Sequence, residues 1–121
     1  MMAATVLVVD DHPSFRRFAR RLLEAAGFSV VDEAADGASA LTAVRDLRPD
    51  LVLLDVLLPD TTGFELAEVL AGEEDGPIVV LTSSRSASEL GGSLSRSSAQ
   101  GFISKRDLTG AAFAALVGGT A

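Results

Sequence analysis

The chain has no cysteine, no tryptophan and no tyrosine, and its one histidine is His12. Without cysteine there is no disulfide, no thiolate nucleophile and no thiolate zinc site. A single histidine is too few for most transition-metal sites or for a histidine relay, and the sequence reads His12 as a helix-start or surface residue, not a ligand. Basic residues are scarce: 10 Lys and Arg stand against 17 Asp and Glu, a formal net charge of −7. That balance lacks the electrostatic footprint for a phosphate backbone, so direct binding of nucleic acid is not expected. No apolar run reaches membrane-spanning length, and the opening MMAATVLVVDDHP meets acids before any long apolar stretch, unlike a signal peptide. The expectation is a soluble cytoplasmic protein with no membrane partner.

What is present is an alternation. The 121 residues, 48% of them apolar, suit one packed domain over 1–121 with its core at about 5–117. Short Val-, Ile- and Leu-rich runs stand at residues 5–9, 50–54, 77–81 and 101–103, and a more polar, edge-like run at 28–34. Continuous apolarity without alternation is what a strand covered on both faces requires. Helical spacing fills the gaps. Phe15, Phe18, Ala19, Leu22, Leu23 and Ala26 fall on one face, with Arg16, Arg17, Arg20 and Arg21 on the other; Pro13 opens this helix and Gly27 stops it. A second helix turns Ala40, Leu41, Val44 and Leu47 inward, and a third Phe64, Ala67, Leu70 and Ala71. The last carries Leu108, Ala112, Ala115 and Leu116 and stops at Gly118 and Gly119. Residues 86–97 hold a capping box, Ser86 with Glu89, but only Leu90 and Leu94 as large apolar groups and a Gly91-Gly92 pair inside, so this helix is expected to be marginal.

Five strands alternating with helices imply an α/β fold: a doubly wound parallel sheet with right-handed crossovers. Ligands of such sheets bind beyond the carboxyl ends of the strands. Those ends carry Asp10 and Asp11, then Asp55 followed by Pro59 and Gly63, then Thr82, then Lys105. Each has an ordinary reading alone, as a cap, a strand end or a solvated lysine; their joint placement on one rim does not. Three carboxylates together repel, and a hard divalent cation relieves that repulsion, Mg²⁺ being suited to few carboxylates plus waters and phosphate. Asp55 is then the nucleophile for a phosphoryl group, with Thr82 and Lys105 to bind its oxygens.

In VLVVDDHP (6–13), LVLLDVLLPDTTGFEL (51–66), IVVLTSS (78–84) and GFISK (101–105) the chain resembles the response-regulator receiver family of two-component signal transduction. The resemblance implies a flavodoxin-like sheet in the order 2-1-3-4-5 and a phosphorelay phosphoprotein with Asp55 as phosphoacceptor, charged by a sensor histidine kinase or a phosphotransfer protein. It implies Mg²⁺ held by Asp11, Asp55 and the Leu57 backbone carbonyl, with Asp10 acting largely through water. Thr82 and Lys105 would hold the phosphoryl group, and Phe102 would turn inward as Thr82 moves, changing the face of the fourth helix, fifth strand and fifth helix. The protein would be a signalling switch that catalyses its own phosphorylation and dephosphorylation rather than an enzyme acting on others. Its downstream partner would be a separate protein or an effector domain outside this chain, and pairing of two phosphorylated copies is an outcome the resemblance allows. Four positions depart from the common pattern: Leu57 is apolar, Ser83 replaces a frequent alanine, Arg106 follows the lysine in place of proline, so a trans bond is expected there, and Phe102 lacks a tyrosine hydroxyl. Two rivals remain. A Mg²⁺-dependent aspartyl-phosphate phosphohydrolase would want a second acid where Leu57 stands; a degenerate, partner-binding receiver would not need the full set of acids, Thr82 and Lys105. The sequence leaves open a stand-alone receiver or a piece of a longer regulator.

Overall fold

Each apolar run forms a strand because both of its faces are covered. The computed structural model, which describes residues 3–118, has β1 Thr5–Val9, β2 Ser29–Ala34, β3 Leu51–Asp55, β4 Ile78–Ser83 and β5 Gly101–Ser104 in one parallel sheet, in the order β2-β1-β3-β4-β5. Side chains alternate across it. Leu7, Val9, Val52, Leu54, Val79 and Leu81 enter one core; Val6, Val8, Leu51, Leu53 and Val80 enter the other. The first core is closed by α2 Gly37–Leu47 and α3 Gly63–Ala71, and the second by α1 Pro13–Ala25 and α6 Gly110–Leu116. The expected doubly wound 2-1-3-4-5 fold is the observed one, with strand bounds shifted by a residue or two.

Local chemistry sets the helix starts. Pro13 opens α1, Asp36 accepts from Ser39 N at the start of α2, Thr62 caps α3 and Thr109 caps α6. Asp60, in the loop after β3, also accepts from Gly37 N and Ala38 N, tying that loop to α2. At Gly63 the chain returns against the end of β3, its N–H donating to Val56 carbonyl at 2.6 Å, and a Cβ there would collide with the Asp55 carbonyl. Only glycine permits so close an approach, and it anchors the loop that carries Leu57.

Several inward assignments fail. Phe18 (50% exposed) and Ala26 are on the surface, in an open groove that Leu22 and Gly110 also line. Leu47, in the last turn of α2, lines a shallow groove with Asp32, Thr42 and Asp46. Ala71 and Ala115 are exposed, Leu108 is buried but precedes α6, and the helix buries Phe113, whose ring meets Phe28 edge-on at 5.1 Å. The weak segment is two four-residue helices, α4 Ala87–Leu90 and α5 Gly92–Ser95, separated at Gly91, whose φ of 61° breaks the helix. The Ser86–Glu89 capping box is formed as expected. Gly119 and Thr120, where the sequence placed the end of the stop and a tail or linker, lie outside the described residues.

Candidate functional site

The parallel register aligns the strand ends. Asp55 pairs with Thr82 and Ser83 with Ser104, so β3, β4 and β5 finish level beside the Asp10–Asp11 turn that follows β1. Asp10 (0% exposed) and Asp55 (4%) are buried there, and Asp11 lies at the surface. Ligand atoms from Asp10, Asp11, His12 and Asp55 all lie within 4.8 Å of one another. Asp11, His12 and Asp55 border a cleft of about 610 Å³ that Leu57, Arg85 and Lys105 also line.

Lys105 is the positive charge of the site. Its Nζ lies 2.6 Å from Asp10 Oδ2, 3.5 Å from Asp55 Oδ2 and 4.4 Å from the centroid of the Phe15 ring. The ammonium thus leans towards Asp10, and the two acids diverge. Burial pushes the Asp10 carboxyl up, but Lys105, the His12 amide and the His12 ring outweigh it and hold it below the usual carboxylate range. Burial, then the negative charge of Asp10, push Asp55 up to about 6; Lys105 and the Leu57 amide offset only part of this. A carboxylate strained in this way is relieved by a cation, and the oxygen-rich donor set fits a hard one.

Thr82 is fully buried and its Oγ1 has no hydrogen-bond partner among the described residues. Such a hydroxyl costs about 1–3 kcal/mol and is uncommon outside functional sites. Thr82→Val, which keeps the shape and removes the orphan, is therefore expected to stabilise the protein by about 1 kcal/mol in urea denaturation; a loss of stability would mean that the hydroxyl has a partner in solution.

The other sequence-selected residues lie where the strand ends put them. Leu57 N donates to Asp55 Oδ1 at 3.4 Å, and the bonds Leu58 N to Thr61 carbonyl and Gly63 N to Val56 carbonyl hold its peptide from either side. Its side chain is 71% exposed at the rim. Ser83 is buried, its Oγ accepting from Arg85 N. Phe102 is half-buried against the core that contains Leu81. No cis peptide occurs among the described residues, so Lys105–Arg106 is trans as expected.

Three groups of contacts were not legible in the sequence. His12 is exposed at the helix start, as expected, yet its Nδ1 is 3.0 Å from Asp10 Oδ1 and 3.1 Å from Asp11 Oδ1; adjacency to the acid pair was the only signal. Phe15 carries Lys105 on its ring, although its spacing marks it only as core. Two arginines assigned to a solvated face are engaged: Arg16 donates to Asp10 carbonyl (2.7 Å) and Glu33, and Arg20 to Glu33 (2.8 Å) and Val30 carbonyl. Glu33 sits below its ordinary pKa chiefly because of the Arg20 hydrogen bond. These bonds tie α1 to β2 and brace the turn that presents Asp10.

Comparison with known proteins agrees with this geometry. Residues 6–112 match the family model described as response regulator receiver domain. The DNA-binding response regulator MtrA of Mycolicibacterium smegmatis is 47% identical over 81 residues, covering 67% of this chain and 35% of that protein. A putative transcriptional regulator of Pseudomonas aeruginosa is 40% identical over 103 residues, 84% of this chain and 49% of that protein. The chain thus spans about a third to a half of the curated relatives it matches. The solved signal receiver domain of the putative response regulator NarL from Mycobacterium tuberculosis superposes with a TM-score of 0.84 at 30% identity, over 98% of this chain and 99% of that one. By family model, relatives and fold, the chain belongs to the response regulator receiver domain family.

Proposed function

We propose that residues 1–121 form one receiver domain, with its core at about 5–117, in which Asp55 accepts a phosphoryl group from the phosphohistidine of a sensor histidine kinase or phosphotransfer protein. The observation that carries this reading is the convergence of Asp10, Asp11, Asp55, Lys105 and the partnerless Thr82 hydroxyl at the end of the sheet. Mg²⁺, held by Asp11, Asp55 and the Leu57 carbonyl with Asp10 acting largely through water, would supply charge neutralisation to the incoming phosphoryl oxygens. An Asp55 carboxylate oxygen attacks phosphorus in line, the bond from phosphorus to the donor nitrogen breaks, and the nitrogen keeps the electron pair. Lys105 leaves part of its pairing with Asp10 to meet the new negative charge, and Thr82 Oγ1 donates to a phosphoryl oxygen. As Thr82 moves inward, Phe102 fills the space behind it.

The Gly91 break makes α4 and α5 the soft element that this motion biases, so the partner-facing surface runs from α4 across β5 to α6. The domain catalyses its own phosphorylation and dephosphorylation, with Leu57 at the rim governing access of the attacking water. A downstream protein or effector domain outside this chain reads the changed surface, in the cytoplasm; pairing of phosphorylated copies is one form that reading could take. Among the described residues no helix is long and apolar enough to cross a membrane.

The test is intact-mass measurement after incubation with a small phosphodonor. The wild type is expected to gain one phosphoryl group with Mg²⁺ and none with chelator, and Asp55→Asn none in either case. An adduct that persists in Asp55→Asn would remove Asp55 from the role.

A further inference from the structure

Asp60 has no part in the chemistry given above, yet its carboxylate fixes the loop beside Asp55. After β3 the chain turns back on itself as a short hairpin. Leu57 and Thr62 form an antiparallel bridge, Leu58 N donates to Thr61 carbonyl at 3.1 Å, and Gly63 N donates to Val56 carbonyl. Buried Leu58 seats the base of this hairpin in the core, while Pro59 and Asp60 stand exposed at its tip. Asp60 then reaches across to α2: its Oδ1 accepts from Gly37 N at 2.8 Å and its Oδ2 from Ala38 N at 3.1 Å. Among the described residues, no other side chain at 59–61 hydrogen-bonds beyond the loop and α3. The approach is close, since a Cβ at Gly37 would meet the Thr61 methyl at 2.5 Å. The next two amides of α2 are satisfied by Asp36, which takes Ser39 N–H with its side chain and Ala40 N–H with its carbonyl. Just upstream, the carbonyl of Ala34 at the end of β2 accepts the Asp10 N–H at 3.0 Å. Asp60 therefore ties the loop after β3 to the same stretch, 34–38, that holds the Asp10 turn.

We propose that Asp60 is a positioning residue that sets the lifetime of a phosphoryl group on Asp55, by holding still the hairpin that carries Leu57. This role rests on Asp55 being the phosphoacceptor, and it concerns the step that ends the phosphorylated state. In that step water attacks phosphorus, and the phosphorus–oxygen bond to Asp55 breaks with its electron pair kept by the carboxylate. Inorganic phosphate leaves with the oxygen of the water, whose surplus proton passes to the phosphate or to solvent. The Leu57 side chain lines the cleft beside Asp55 and is largely exposed there. An apolar group in that place obstructs water only while its backbone is fixed, and a freed hairpin tip lets it swing aside.

The protein is charged with a small phosphodonor and Mg²⁺, the donor is removed, and decay of the adduct is followed by intact mass. Wild type, Asp60→Ala, Asp60→Asn and Asp36→Ala are compared, and amide exchange is measured on the same four proteins before charging. Asp60→Ala is expected to shorten the lifetime about fivefold or more and to speed exchange at Leu58 and Gly63 about tenfold. Asparagine, with one acceptor oxygen for two N–H groups, should recover part of both effects. Asp36→Ala removes a cap from the same helix but leaves the tie to the loop. Its lifetime and loop exchange should therefore stay within about twofold of wild type. A lifetime or loop exchange unchanged in Asp60→Ala, or shifted equally by Asp36→Ala, overturns the proposal and leaves Asp60 as a helix cap. A wild type that takes up no phosphoryl group removes the phosphoacceptor role and this one with it, a failure distinct from an adduct whose decay ignores Asp60.

Discussion

Asp55→Asn is expected to make the cation-free protein more stable at neutral pH by about 2–3 kcal/mol, although it removes the group on which function depends. Burial and the Asp10 charge raise Asp55 from 3.8 to about 6. A carboxyl raised on folding contributes stability that is fully present below its unfolded pKa and lost as pH rises through the folded value. For Asp55 that window runs from about 4 to about 6, and every tenfold change in proton affinity between the folded and unfolded chain corresponds to about 1.4 kcal/mol. Asparagine keeps the shape and removes the charge, so its advantage should be absent near pH 4, grow through pH 6 and level off above it. Asp10 acts with the opposite sign: held below its ordinary value, it contributes stability that is lost only as pH falls below about 4. Urea denaturation of both proteins from about pH 3.5 to about pH 8, with chelator and with Mg²⁺, measures the difference. Mg²⁺ should stabilise the wild type by about 1.4 kcal/mol for each tenfold excess over its Kd and the variant by less, so that the two converge. A constant offset at all pH values would mean that the carboxyl of Asp55 is not under the strain assigned to it.

Lys105→Met should act in the reverse direction. Methionine keeps an apolar stem over the Phe15 ring but removes the ammonium that lies 2.6 Å from Asp10 and 3.5 Å from Asp55. Two buried carboxylates then face each other without a counter-ion. Removing one partner of a fully buried pair costs about 3–5 kcal/mol, and the 19% exposure of Lys105 admits enough water to reduce this to about 2–3 kcal/mol at pH 7. Loss of Lys105 pushes the Asp55 carboxyl above the value of about 6 it has in the wild type, so its protonation should already shrink the deficit as pH falls towards about 6, and Mg²⁺ should restore part of it. Phosphoryl uptake from a small donor, followed by intact mass, is expected to slow by about 10²–10³-fold, the range seen when one preorganised charge or donor is removed from such a site. A variant as stable as wild type at neutral pH would show that some other group balances the acids.

Most of the scaffold was legible because its signals are local. The runs at β1, β3 and β4 are apolar at nearly every position, which only a strand covered on both faces explains, and Pro13, Asp36 and Thr62 mark helix starts by chemistry within one turn. Errors gathered where an element runs past its neighbours. Phe18 fits the stripe of α1 by periodicity, and Leu47 that of α2, but both end in open surface grooves. Periodicity states which side chains share a face and is silent on how far the opposing element extends.

The amino-acid order alone determined that Asp10, Asp11, Asp55, Thr82 and Lys105 meet on one rim, because parallel strands joined by right-handed crossovers bring all their carboxyl ends to the same edge. Tertiary structure decided how they meet. It sets Lys105 closer to Asp10 than to Asp55, places the Phe15 ring beneath the ammonium, turns His12 towards the acids and leaves the Thr82 hydroxyl without a partner among the described residues. These choices turn on differences of about an ångström and on how much water each group loses, and both are set by packing among residues far apart in the chain.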